Sequence, residues 1–181
     1  NTDAFAVKLT ASAGAHVWST RIGGSDVDEG YGLGIDGSNN LVICGWTSSP
    51  GWLSGGFDTS ANGDDDGYVI KLDPSSKPVW GTFLGGPGSD GANALAVQNS
   101  GEILVAGMTH SDGWTAGGFN IVKPAGTKFD VFVARLDAAG RHVWSSYLGG
   151  SSDDDYAFAI VWAGTGRAYV AGQTYSDGWV V

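Results

Sequence analysis

The carboxylates of this chain gather in glycine- and serine-rich connections. The densest runs are Ser25-Asp-Val-Asp-Glu29, Gly63-Asp-Asp-Asp-Gly67, Ser89-Asp90 and Ser151-Ser-Asp-Asp-Asp155. Clustered Asp oxygens are the hard ligands that calcium takes. They nominate Asp26, Asp28, Asp64, Asp65, Asp66, Asp90, Asp153, Asp154 and Asp155 as metal ligands, with Ca2+ as the cofactor they would hold. None of the runs follows the spaced D-x-D-x-D-G pattern, and adjacent Asp side chains diverge. The competing role is to cap turns by accepting from nearby backbone N–H groups.

Aromatic residues form a second recurrent set. Ser49-Pro-Gly-Trp-Leu-Ser-Gly-Gly-Phe57 is repeated as Ser111-Asp-Gly-Trp-Thr-Ala-Gly-Gly-Phe119, and Ser176-Asp-Gly-Trp179 begins a third copy. On exposed loops, Trp52, Trp114 and Trp179, with Phe57 and Phe119, would stack on sugars or anchor a protein partner. The alternative is that each loop folds back and its rings seal the space between neighbouring sheets. Repetition of the same aromatics favours that packing role.

Catalytic constellations are weaker. Gly32-Leu-Gly-Ile-Asp-Gly37 and Gly86-Pro-Gly-Ser-Asp-Gly91 fit G-x-G-x-x-G, but neither opens a helix, and 31 glycines make chance matches expected. His16, His110 and His142 stand in different copies of the repeat with no nucleophile at a motif spacing. No paired carboxylates stand in a setting that would desolvate one into a general acid. The expectation is a protein that is not an enzyme.

The elements that position these groups are written several times over. Asp3-Ala-Phe-Ala-Val-Lys-Leu9 returns as Asp66-Gly-Tyr-Val-Ile-Lys-Leu72 and as Asp130-Val-Phe-Val-Ala-Arg-Leu136, each followed by Val-Trp and then Gly-Gly, at a period of 62 to 64 residues. So steady a period marks an array of one supersecondary unit. Within it, Tyr31–Ile35, Asn93–Val97 and Tyr156–Ile160 alternate at period two, one face carrying only Gly or Ala. A strand that small on one side belongs where another backbone comes very close. Leu41–Thr47, Ile103–Thr109 and Ala168–Thr174 are nearly continuously apolar, as strands buried on both faces are. Their recurring Gly45, Gly107 and Gly172 suggest a bulge or close approach. The Asp-x-aromatic segment and the Trp segment supply a third and a fourth strand, and Pro78 suits an outermost edge. The fold class is all-β: four-stranded antiparallel units that cannot bury both faces alone, the blades of a β-propeller.

Taken together, Asp-x-Phe-Val-x-Lys-Leu, Trp-x-x-x-Leu-Gly-Gly, the Asp-rich turn and Val-x-Gly-x-Thr-x-Ser resemble the SBBP repeats, the beta-propeller repeats of bacterial secreted and surface proteins. The resemblance implies a propeller in an exported protein, at the cell surface or outside the cell, and no particular reaction. The spacing exceeds the roughly 40 to 50 residues of compact blades, the excess lying between the second and third strands of each unit.

The repeat divides the chain into a half unit (1–24), two whole units (25–86 and 87–150) and a second half (151–181), about three blade-equivalents. That falls short of the four to eight blades of a usual ring. Either the chain is part of a longer propeller whose missing blades are its partners, or copies exchange half-blades through open edges and close a six-bladed ring. A net charge of −10 argues against nucleic acid and anionic membranes, and no apolar run approaches the roughly 20 residues of a membrane span. Cys44, the one cysteine, excludes an internal disulfide and reads as a small buried filler. The functional expectation is a structural or interaction module, and the alternative a lectin-like module binding glycan or a surface protein through its Trp loops.

Overall fold

The computed structural model describes residues 2–123, 128–151, 153–164 and 166–179. Ser152 of the last acidic run and Thr165 of the last turn lie outside the described residues. Those residues form twelve strands and no helix: β1 (Ala4–Leu9), β2 (His16–Ile22), β3 (Asp28–Ile35), β4 (Leu41–Thr47), β5 (Asp66–Leu72), β6 (Pro78–Leu84), β7 (Asp90–Val97), β8 (Ile103–Thr109), β9 (Asp130–Leu136), β10 (His142–Leu148), β11 (Asp155–Ala163) and β12 (Arg167–Thr174). They pair into four antiparallel sheets, β1-β2, β3-β4-β5-β6, β7-β8-β9-β10 and β11-β12, called sheets 1 to 4 below. No strand joins sheet 4 to sheet 1 among the described residues, so no closed ring forms within the chain.

Successive sheets stack face on face. Val42, Cys44, Val69 and Leu84 of sheet 2 pack on Ile103, Val105, Phe132 and Leu136 of sheet 3. Ala4, Ala6 and Ile22 of sheet 1 meet Ile43, Tyr68, Ile70 and Leu72 on the opposite face of sheet 2. The small face of β3 is explained by this stacking. A Cβ on Gly32 would stand 3.2 Å from the Ala94 Cα, and one on Gly34 would run into Val97 and Leu95. Cys44 is fully buried in the same interface, and burial pushes its thiol up to about 12.

Each innermost strand carries a bulge, between Gly30/Gly32, Ala92/Ala94 and Ala157/Ala159. Opposite it stands the recurring glycine: a Cβ on Gly45, Gly107 or Gly172 would fall on the carbonyl oxygen of Glu29, Gly91 or Tyr156. The bulge also corrects the third copy of the alternation. Asp155 pairs with Thr174 as Asp28 pairs with Thr47 and Asp90 with Thr109. Phe158, not Tyr156, therefore takes the place of Tyr31 and Asn93, and Val161 takes that of Gly34. A slide of two residues leaves a period-two pattern unchanged, so alternation alone misplaced this strand.

The long connections after β4 and β8 return along the outermost strands. Gly81 N donates to Ser54 O (2.7 Å) and Phe83 N to Asp58 O (2.9 Å); Ser145 N and Tyr147 N donate likewise to Ala116 O (2.7 Å) and Asn120 O (2.8 Å). Each loop thus lies parallel to β6 or β10 and takes up the row of amides that an edge strand leaves unpaired. Sheets are further hooked forward: Trp18 Nε1 donates to Pro74 O (3.1 Å) and Trp80 Nε1 to Ala138 O (3.2 Å), in each case the far turn of the next sheet.

Candidate functional site

Of the nine nominated aspartates, Asp28, Asp66, Asp90 and Asp155 are not loop residues. They open β3, β5, β7 and β11, and all are buried. Asp28 accepts from Thr47 Oγ1, from Ser49 Oγ at 2.9 Å and from Gly24 N at 2.8 Å. Asp90 repeats the set with Thr109 Oγ1, Ser111 Oγ at 2.7 Å and Gly86 N at 2.8 Å. Asp155 accepts from Gly150 N at 3.0 Å and Trp179 Nε1 at 3.3 Å. Each carboxylate therefore ties the innermost strand to the preceding Gly-Gly connection. Asp28 and Asp90 also hold the end of the next strand and the start of its long loop. Burial pushes the Asp90 carboxyl up, against the pull of these donors.

The remaining acids are dispersed. Asp26 and Asp64 are exposed; Asp26 accepts from Ser25 Oγ at 2.9 Å. Asp153 is exposed and 3.9 Å from Lys128 Nζ. Asp154 accepts from Phe129 N at 2.9 Å. Burial, then the neighbouring Asp64, raises Asp65. Among the described residues no three acidic, His or Cys groups come together to hold a metal ion. The nominated aspartates are thus dispersed, and Asp28, Asp90 and Asp155 already accept from hydroxyl, amide or indole donors.

The tryptophans belong to the same networks. Trp52 Nε1 donates to Thr47 Oγ1 (3.1 Å) and Trp114 Nε1 to Thr109 Oγ1 (3.0 Å); Trp179 Nε1 reaches Thr174 Oγ1. The Trp52 ring stands edge-on to Tyr68 at 5.2 Å, and Trp114 to Phe132 at 5.0 Å. Trp52 and Trp114 are half-buried, each with its ring against an aromatic of its own sheet. Trp179 is 39% exposed, Phe57 43% and Phe119 79%. Phe57 leans on the His142 ring at 5.4 Å.

His142 Nε2 lies 2.9 Å from Ser145 Oγ, a contact that the sequence did not flag. Ser145 is fully buried, its hydroxyl accepts from Ala116 N, and burial alone acts on the imidazole, lowering its pKa. A hydroxyl closed to solvent and a histidine with no carboxylate contributing to its titration lack the geometry of an activated nucleophile.

Two buried ion pairs also escaped the sequence. Lys71 Nζ stands 2.7 Å from Asp36, and Lys123 Nζ 2.9 Å from Asp130. Burial works to raise Asp36, but Lys71, Asn40 and Ser38 hold it down at about 2. Asp66 and Asp130 are equivalents, each opposite the Thr that ends the preceding strand. Asp130 has its lysine. Asp66 has Asn62 N (3.0 Å) and Gly63 N (3.3 Å) on one oxygen and no hydrogen-bond partner on the other. Burial pushes Asp66 up to about 6 in spite of those two amides, with Asp90 and Asp58 adding to the rise.

Residues 17–51 match the family model of the SBBP beta-propeller repeat. The chain is also 31% identical over 116 residues to the regulatory protein FlaEY of Caulobacter vibrioides. The match covers 64% of this chain and 12% of that protein, so the chain spans a small part of the relative's length.

Proposed function

We propose that the chain is a non-enzymatic β-propeller module, extracellular or at the cell surface, that works by association, and that its open strand edges take up further strands of the same kind. The observation that carries this reading is a matched pair of deficits. β5 and β9 are paired on both sides, whereas β1 is paired only with β2; β4 and β8 are paired on both sides, whereas β12 is paired only with β11. The β4–β5 register carried onto β12 and β1 sets Thr174 opposite Asp3, Val170 opposite Val7 and Ala168 opposite Leu9. A strand pair joined there would complete a four-stranded sheet in the order β11-β12-β1-β2. It would also fill the groove of about 620 Å³ between sheets 1 and 2, which Phe5, Trp18, Leu33, Ile35 and Ile43 line.

The partner in this reading is a second copy of the chain, two copies closing a six-bladed ring, and further repeats of a longer propeller are the other source. The extracellular setting is carried by the repeat resemblance alone. Light scattering across a dilution series tests the assembly. A species of twice the chain mass, trapped as a disulfide-linked dimer when Ala6 and Ala171 are both changed to Cys, supports it. A monomer at all concentrations that forms no such link overturns self-association. The strands would then have to come from additional repeats.

A further inference from the structure

Sheets 2 and 3 are built to one pattern, and they differ sharply at the start of their third strands. In sheet 3 the buried Asp130 is neutralised by Lys123, whose ammonium also donates to Lys128 O at 2.7 Å. Lys123 stands four residues after Phe119 in the long loop; four residues after the equivalent Phe57 stands Ala61. Asp66 is therefore deprived of the cation that its counterpart enjoys, though it is as deeply buried, at 1% exposure against 4%.

The turn beside Asp66 packs closely against main-chain carbonyls. The turn at Asn62 and Gly63, whose amides reach Asp66 Oδ2, presses on the connection after β6: a Cβ on Gly63 would stand against the carbonyl oxygens of Gly88 and Gly86. The charged groups that act on Asp66 are the carboxylates of Asp90 and Asp58. A buried carboxylate oxygen without a partner carries a desolvation cost that an exposed, hydrated one does not. In the sister sheet that need is met by a positive charge.

We propose that Asp66 Oδ1 is the anchor of a small inorganic cation site, taking a hard, oxygen-seeking ion where sheet 3 uses the ammonium of Lys123. The site rests on one buried carboxylate, in contrast to the multi-aspartate loops considered above. Hard cations of this class, sodium and potassium or calcium, share the same oxygen ligands.

The test is thermal melting of the full chain at pH 8 and constant ionic strength, in choline chloride against sodium, potassium and calcium chloride. A small cation is expected to raise the melting temperature by about 3 °C over choline. Calcium acting far below the concentration at which sodium acts identifies a divalent site, and equal action at equal ionic strength a monovalent one. Ala61→Lys supplies an internal ammonium. It should melt in choline where the wild type melts with its cation, and should ignore added salt. Asp66→Asn, which carries its own donor, should lose the dependence as well. Identical melting of the wild type in choline and in every small cation overturns the proposal. So does an undiminished shift in both variants, because the ion would then act elsewhere.

Discussion

Phe5, Tyr68 and Phe132 stand at one position of the repeat, in the third-strand segment of sheets 1, 2 and 3. Tyr68 and Phe132 are fully buried, and Phe5 is 76% exposed. Val7 and Leu9 are likewise exposed, at 44% and 55%, while their equivalents Ile70, Leu72, Ala134 and Leu136 are 5% exposed or less. Nothing local separates these strands, since all three carry the same alternation. The difference is the sheet that lies behind. Sheets 2 and 3 each have a neighbour on that face, and sheet 1 has none among the described residues. Sheet 4 is the converse case, with Val161 and Tyr169 exposed at 55% and 68% on the side where a following sheet would lie. Burial here is a property of the stack, as expected of units whose stability is a sum of intrinsic and nearest-neighbour contributions.

The largest test of that contrast is a matched pair of truncations. Phe132→Ala should cost about 3–5 kcal/mol in urea unfolding, and Phe5→Ala less than about 0.5 kcal/mol. An equally costly Phe5→Ala would mean that its face is covered in solution, and the comparison would break in favour of assembly. Next come the carboxylate networks. Asp90→Ala strands Thr109, Ser111 and Gly86 N and should cost about 2–3 kcal/mol. Asp155→Ala, beside an exposed Thr174, should cost about 1 kcal/mol.

Acidification sharpens the difference between sheets 2 and 3. Asp66 titrates at about 6 in the folded chain, above its ordinary 3.8, so the folded state binds the proton more tightly. Its contribution is fully present below 3.8 and is lost as pH rises through 6. In choline chloride, lowering the pH from 8 to 5 should therefore stabilise the wild type by about 1–2 kcal/mol relative to Asp66→Asn. The smallest effect concerns the hooks. Trp80→Phe forfeits the bond to Ala138 O and should cost about 1 kcal/mol. Trp144→Phe, with no third-to-fourth-strand turn of a following sheet to reach, should cost under about 0.5 kcal/mol.

Much of the architecture was legible because the repeat fixes phase. Asp, aromatic, Trp and Gly-Gly recur at one spacing, and period two within each strand assigns its faces. The slip at Tyr156–Ile160 shows the limit, for alternation cannot tell a strand from itself moved by two. The needed anchor was Asp155 with Thr174, and the sequence held it: Thr-x-Ser recurs at Thr47/Ser49, Thr109/Ser111 and Thr174/Ser176, always 19 and 21 residues after the aspartate. Reading the aspartates as loop ligands overlooked these hydroxyl partners, although the Thr-x-Ser motif itself was seen. That the long loops fold back was readable from their repeated aromatics, but their main-chain pairing with β6 and β10 was not, since such pairing leaves no mark on side-chain type. The Lys123–Asp130 pair was hidden for a related reason, its partners being brought together by a loop without periodicity.

That covering sets the dimensionality of any larger structure built from this chain. With the amides of Gly81, Phe83, Ser145 and Tyr147 already taken by their own loops, sideways growth into sheets or fibrils is hindered along β6 and β10. Among the described residues the half-sheets β1-β2 and β11-β12 keep uncovered edges, so new backbone is recruited at the two ends of the stack. Whatever joins the chain must follow its curvature and extend one line of sheets, so that the same loops which shield the molecule also dictate the path by which it can be lengthened.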